Sequence, residues 1–332
     1  MKKIVIFGAT GNIGAYFTDY CAKHLNASEY EVIAVGRKNT TFFEGCGIKY
    51  CRVDITKAED FDNLPKDGVY AVVNFAGLLP AYFKDNDPFK YIDTNITGGV
   101  RILEYARTNK ANRVLYTQSW AEQGGYWGER EVLSPNMPKK LIYTGDHAFY
   151  VISKSMVVET MEYYKQEYGV KNFVFRLPNV YLYSPEKEYY VDGIARPIGY
   201  RYMIDRASRG EDIEMWGNPD AFKDILYVKD LCQMMYKALF ASVDGGTYNA
   251  GTGVKTTLRE QIEGIIEVCS PKDHPSRIIS KPEGATFTSF VMDIENARKD
   301  LGYEPEYSYK DYLVDYKKEE AQGRFNALWN ES

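Results

Sequence analysis

The feature that most constrains this chain is a glycine-spaced turn close to residue 1. Lys3–Phe7 is a short apolar run that leads directly into Gly8-Ala9-Thr10-Gly11-Asn12-Ile13-Gly14, and Ile13–Leu25 carries apolar residues at helical spacing. A buried strand, a tight turn and a helix in that order need small residues at set places. Gly8 permits the turn, Gly11 lets backbone approach an anion, and Gly14 lets helix pack on strand. The helix N-terminus then offers unpaired N–H groups and its positive dipole end, an arrangement suited to a dinucleotide pyrophosphate. Thr10, Asn12 and Ile13 share this turn and are candidate cofactor contacts.

The alternation continues. Glu31–Val35, Ile48–Val53, Val69–Phe75, Arg113–Thr117 and Asn172–Leu177 read as strands, and Tyr91–Thr108 and Ala148–Tyr168 as long helices. Strands that are apolar throughout and alternate with helices imply a parallel sheet covered on both faces. Right-handed crossovers make it an α/β, doubly wound (Rossmann) sheet. After Pro178 the pattern loosens. Residues 182–201 read as loop, Tyr202–Ser208 as helix, Asp212–Trp216 as strand, Ile225–Leu239 as strand, turn and helix, and Thr247–Ala250 as a further sheet strand. The expected division is a dinucleotide-binding domain of 1–179 plus about 224–251. A smaller, discontinuous substrate domain takes about 180–223 and 252–332.

Composition excludes some classes. The 332 residues are 45% hydrophobic and 26% charged with a net charge of -5, so a basic nucleic-acid binder is not expected. No apolar stretch is long enough to span a bilayer. The five scattered cysteines have no metal-ligand spacing and read as reduced thiols. A cytoplasmic location is the expectation.

The end of the second strand bears on cofactor choice. A carboxylate there would bind a ribose 2′-hydroxyl and repel a 2′-phosphate. The chain has Gly36-Arg37-Lys38 instead, which favours NADP while leaving NAD open. Asp54 can accept from an adenine amino group, and Phe75-Ala76-Gly77 is small enough for backbone to line ribose and phosphate.

Tyr150 and Lys154 stand four residues apart near the start of a helix and so share a face. A phenol ionises near pH 10, and a neighbouring ammonium with a cationic nicotinamide would stabilise the phenolate. Ser119 ends the fifth strand, at the edge where ligands of open parallel sheets bind. Its hydroxyl can hold a substrate oxygen against Tyr150.

With these residues in this order, the chain resembles the extended short-chain dehydrogenase/reductases, the NAD-dependent epimerase/dehydratase family, over nearly its whole length. Gly8–Gly14 is similar to the family's cofactor loop, Ser119, Tyr150 and Lys154 to its catalytic triad, and 94–98 to its fourth helix. Residues 176–181, 223–230, 248–251 and 301–305 resemble further family segments. The resemblance implies that Ile55, Asn95 and Pro178 also touch the cofactor and that Asn179 touches the substrate. It also implies a mechanism. Lys154 binds the nicotinamide ribose and acidifies Tyr150, Tyr150 moves the proton as hydride passes to or from the ring, and Ser119 polarises the oxygen. A nucleotide sugar is the implied substrate and a homodimer a possible assembly.

Some positions depart from the family. Family dehydratases have Asp-Glu just after the catalytic Ser/Thr, where this chain has Trp120 and Ala121, with Glu122 one place late, so 4,6-dehydration is not expected. Leu182 replaces a glycine. Lys223 replaces an arginine that forks onto a diphosphate, which a lysine cannot do. Trp120 narrows the pocket or fills core. Arg196, Arg201 and Trp216 are candidate substrate contacts, and His147 reads as a solvent-facing residue near a helix start. Two readings compete with a nucleotide-sugar epimerase or ketoreductase: a reductase of a non-nucleotide carbonyl compound, and a non-catalytic dinucleotide sensor.

Overall fold

Seven of the apolar runs pair into one sheet. In this computed structural model, which describes residues 1–82 and 87–330, the strands are β1 (Lys2–Phe7), β2 (Tyr30–Gly36), β3 (Lys49–Arg52), β4 (Val69–Asn74), β5 (Arg113–Ser119), β6 (Lys171–Leu177) and β7 (Gly245–Asn249). Their order is β3-β2-β1-β4-β5-β6-β7, and every pairing is parallel. Successive side chains of a strand face opposite sides, so each strand feeds two cores. Ile4, Ile6, Ala71, Val73, Leu115, Phe173 and Phe175 join one, while Val5, Phe7, Val72, Val114, Tyr116 and Val174 join the other.

Helix α1 (Asn12–His24) covers the first face beside Val228–Ala238, and Phe17, Cys21, Leu231, Met234 and Met235 are buried there. The second face is covered by α2 (Gly98–Thr108) and α3 (Ala148–Tyr168) through Ile102, Leu103, Val157 and Met161. Strand order reverses between β1 and β4. The crevice opens there, outside the carboxyl ends of the strands, and Gly8 and Phe75 stand on its two sides.

Two segments differ from the sequence expectation. The helix expected over 91–108 is not uniform: Ile92–Thr97 is wound as π-helix before α2 begins. The wider turn is tied to Asn95, whose side chain bonds both the Leu78 N–H (2.6 Å) and the Leu78 carbonyl (3.2 Å). The expected loop 182–201 contains a hairpin, Glu188–Val191 against Ile194–Pro197. Its two-residue turn, Asp192-Gly193, has φ of 49° and 75°, the mirror-image geometry that matches strand twist.

Apart from Val228–Ala238 and β7, the chain beyond β6 contributes three helices, Gly199–Ser208, Leu258–Cys269 and Tyr309–Gln322, and the parallel pair Ile213–Trp216 with Ile278–Lys281. The C-terminal stretch returns to α1. Phe325 meets the Tyr16 ring edge-on at 4.9 Å, and Arg324 bridges Asp19 and Glu319. Among the described residues no helix is long and apolar enough to cross a membrane.

Candidate active site

The glycine turn is sterically required. Gly8 has φ of 77°, and a Cβ there would lie 2.6 Å from the Ala76 nitrogen; at Gly14 it would lie 2.1 Å from the Gly8 carbonyl oxygen. Gly11 is less crowded, with only the Gly8 oxygen, at 3.3 Å, close to a Cβ there among the described residues. Helix α1 has no side-chain cap on its first N–H groups and no acidic residue in its first turn. Uncapped N–H groups at a positive helix end, beside a turn that excludes a side chain at Gly8 and Gly14, fit a dinucleotide pyrophosphate.

The segment after β4 forms the other wall. A Cβ at Gly77 would lie 3.2 Å from Asn95 Oδ1 and 3.9 Å from Lys154 Nζ, which places Lys154 at the strand ends beside Phe75-Ala76-Gly77. Asn95 is buried and also donates to Ser153 Oγ at 2.9 Å, while Ser153 Oγ donates to the Tyr150 carbonyl at 2.7 Å. One side chain thus ties the π-wound turn, the strand-end loop and the first turn of α3 together.

Tyr150 and Lys154 both lie in that first part of α3. The Lys154 ammonium is buried, 4.0 Å from the centroid of the Tyr116 ring, and burial pulls it down to about 7. Burial pushes the Tyr150 phenol well up, and the neighbouring Tyr91 adds to this. In the protein alone, therefore, neither group is charged for free, and any anion or cation introduced into the crevice has large leverage on both. His147 stands edge-on to Tyr150, ring centroids 6.4 Å apart, with its Nδ1 2.6 Å from Asp146 Oδ1. Ser119 is the last residue of β5. Its Oγ accepts from the Ala121 N–H at 3.2 Å, leaving the hydroxyl hydrogen to donate elsewhere.

Other candidates fall in varied surroundings. Asp54 Oδ1 accepts from the Thr56 N–H (3.0 Å) and hydroxyl (2.8 Å). Partial burial raises its carboxyl, but these bonds and Arg37 and Lys57 outweigh it and hold the carboxyl low. Ile55 is buried against Gly98. Arg37 is exposed, whereas Lys38 donates to the Leu328 carbonyl at 3.1 Å, at the C-terminal end of the last helix. Pro178 is buried and Asn179 exposed just past β6. Trp120 packs on Trp127 and Phe290 at 4.4 and 4.1 Å. Arg196 is exposed on the hairpin, and Trp216 is half-exposed, its indole N–H on Glu214. Lys223 places its ammonium over the Phe287 ring at 4.2 Å, and burial lowers its pKa. Arg201 is buried and hydrogen-bonded to the carbonyls of Leu182, Ser184 and Glu186 and to Tyr200, so its guanidinium clamps a loop.

Two sets of contacts escaped the sequence reading. Ser184 and Glu186 reach the glycine turn, with Glu186 Oε2 3.0 Å from Asn12 Nδ2. A buried network, Gln118, Glu122, Ser155, Arg176 and Asn249, lies behind Ser119.

The comparisons with known proteins agree with this architecture. The model of the NAD dependent epimerase/dehydratase family matches residues 4–251, and the chain belongs to that family. The low-salt glycan biosynthesis protein Agl12 of Haloferax volcanii is 23% identical over 94% of this chain and 97% of its own length. The structure of UDP-glucose 4-epimerase from Thermotoga maritima with UDP-glucose superposes with a TM-score of 0.75 at 20% identity, covering 96% of this chain and 100% of that one. The Thermus thermophilus UDP-glucose 4-epimerase, in complex with NAD, gives 0.72 at 20% identity over 98% and 99%.

Proposed function

We propose that this chain is an NAD(P)-dependent epimerase or ketoreductase acting on a hydroxyl or carbonyl carbon of a nucleotide sugar. The observation that carries the reading is the position of Lys154, buried at the strand ends beside Gly77 and one helical turn from Tyr150. The nicotinamide cofactor, when bound, supplies hydride transfer. Gly8, Thr10, Gly11, Asn12, Ile13 and Gly14 would hold its pyrophosphate, Asp54 and Ile55 its adenine end, and Phe75, Ala76, Gly77, Asn95 and Pro178 its remaining edge.

In this reading the chain's own residues do the following. Lys154 hydrogen-bonds a ribose hydroxyl and, once charged, stabilises the Tyr150 phenolate. Tyr150 takes the proton from the substrate hydroxyl or returns it to the carbonyl. Ser119 donates to the same oxygen. Water elimination has no matching acid and base: Trp120 and Ala121 carry none, and Glu122 is ion-paired to Arg176 inside the protein. Between cofactors, exposed Arg37 favours a 2′-phosphate, although Lys38 is engaged with the last helix, and the Thermus thermophilus relative is a complex with NAD. Asn179, Trp120 and Arg196 remain candidate substrate contacts. A homodimer and a substrate-binding role for the second lobe belong to the same proposal.

One observation favours the second reading, a reductase of a non-nucleotide carbonyl compound. The Lys223 ammonium sits over the Phe287 ring, where burial disfavours its charge, a poor start for holding a diphosphate. The deciding experiment incubates the protein with NAD or NADP and a panel of UDP- and dTDP-hexoses, and separately with NADH or NADPH and a panel of keto-sugar nucleotides and carbonyl compounds lacking a nucleotide. Absorbance of reduced nicotinamide and product sugars are both followed. Interconversion of epimers without net reduced cofactor supports an epimerase, and stoichiometric oxidation of NADPH a ketoreductase. Tyr150→Phe should lower kcat about 100-fold or more. Turnover unchanged by that substitution, or activity only on carbonyl compounds lacking a nucleotide, would remove the proposal.

A further inference from the structure

The buried network behind Ser119 has an assignable task. Strand alternation puts the Gln118 side chain on the Tyr116 face of the sheet, the face α3 covers, while Ser119 ends the strand at the crevice. Gln118 is buried, and its carboxamide bonds three different partners. Oε1 accepts from the Ser119 N–H at 2.8 Å, and Nε2 donates to Glu122 Oε2 at 2.7 Å and to Ser155 Oγ at 3.2 Å. Ser155 follows Lys154 on α3.

The orientation of that amide is determined from below. Glu122, ion-paired to Arg176, only accepts hydrogen bonds. Its Oε1 takes the Arg176 Nε–H at 2.9 Å, while Arg176 Nη1 donates to Asn249 Oδ1 at 3.0 Å and Asn249 Nδ2 to the Leu133 carbonyl at 2.6 Å. The carboxamide must therefore turn its nitrogen to Glu122 and its oxygen to Ser119. A chain of buried bonds runs from β7 through β6 to the serine and, by the Ser155 branch, to the helix carrying Tyr150 and Lys154. Fully satisfied buried networks hold one geometry because any other leaves a buried group unpaired.

We propose that Gln118 is a positioning residue: held by the Glu122–Arg176 ion pair, it sets the Ser119 hydroxyl relative to Tyr150 on α3. This rests on the catalytic reading of Ser119 given above. It also accounts for a glutamate next to the site that takes no part in acid–base chemistry.

The test is Gln118→Met, which keeps length and apolar bulk but removes all three bonds, alone and combined with Ser119→Ala. Ser155→Ala, which removes only the α3 branch, serves as a milder companion should Gln118→Met fold poorly. With the sugar nucleotide that the wild type turns over, Gln118→Met should lower kcat about 10- to 100-fold and leave KM and cofactor affinity within about twofold. In the Ser119→Ala background it should add less than about a twofold loss, because its action passes through Ser119. Ser155→Ala should show the same pattern at smaller amplitude. Equal losses in both backgrounds, or a loss confined to KM, would mean general destabilisation and overturn the proposal.

A second arm needs no substrate. Hydrogen exchange of the wild type and both variants should show faster exchange at Ser119 and Ala121 in Gln118→Met. Unchanged exchange there overturns the positioning role whatever the substrate is. Failure of every sugar nucleotide in the turnover screen, by contrast, removes only the substrate class.

Discussion

Nζ of Lys154 lies 4.0 Å from the centroid of the Tyr116 ring, in a pocket where the ammonium meets an aromatic face and little water. Cation–π attraction offsets part of the cost of burial, yet burial still lowers the ammonium from 10.5 to about 7. The native state therefore holds fewer protons than the unfolded chain between about pH 7 and 10.5. Stability from this group rises with pH through that window, by up to about 1.4 kcal/mol per pH unit, and is lost as pH falls towards 7. Urea unfolding of the cofactor-free protein at several pH values should show this slope. Lys154→Met should flatten it, and parallel profiles for the two proteins would show that the buried ammonium is not linked to folding.

The glycine turn makes a second, steric prediction. An alanine at Gly14 sets a methyl 2.1 Å from the Gly8 carbonyl oxygen, so α1 must retreat from β1. Such overpacking typically costs about 1–3 kcal/mol, and the pyrophosphate seat is displaced with the helix. Gly14→Ala should lower the unfolding midpoint and weaken NAD(P) binding at least about tenfold by calorimetry. Gly45→Ala is the control: among the described residues nothing stands within 4 Å of a Cβ there, and it should stay within about 0.5 kcal/mol of wild type.

Arg37 and Lys38 separate two roles that adjacent basic residues share on paper. Lys38 is held by the Leu328 carbonyl, at a helix end whose dipole favours a cation, whereas Arg37 is exposed. Arg37→Asp should shift the ratio of NADP to NAD affinity towards NAD by about tenfold or more, since a carboxylate repels a 2′-phosphate. Lys38→Met should leave that ratio within about twofold and instead loosen the C-terminal segment, read by faster proteolysis near residue 326. A shift of cofactor preference by Lys38→Met alone would reverse the assignment.

What was legible in the sequence is what local pattern controls. Apolar runs and glycine spacing specified the parallel sheet, its crevice and the strand-end position of Ser119, because each depends on residues a few places apart. The hairpin at 188–197 was signalled by Asp192-Gly193, but one flank is half-buried, the other exposed, and neither alternates between buried and exposed positions, so no pattern drew attention to it. The π-wound turn at Asn95 gave no signal, because a side chain bonding backbone 17 residues away decides it. Arg201 read as a charge available to a ligand; the fold surrounds it with carbonyls instead. The network of Gln118, Glu122 and Arg176 was illegible for the same reason, its partners being up to 73 residues apart in sequence.

That network also predicts how the fold responds to losing one charge. The side chains of Glu122 and Arg176 are each only 4% exposed. Removing one partner strands the other in the interior, at a typical cost of about 3–5 kcal/mol, whereas replacing both with apolar residues is often close to neutral. Arg176→Leu should therefore lower the urea midpoint strongly, and adding Glu122→Leu should recover part of the loss. The recovery will be incomplete, because Gln118 Nε2 and Asn249 Oδ1 still lose partners that the ion pair supplied. Additive losses in the double variant would show instead that the pair is not coupled and that each residue contributes through packing alone.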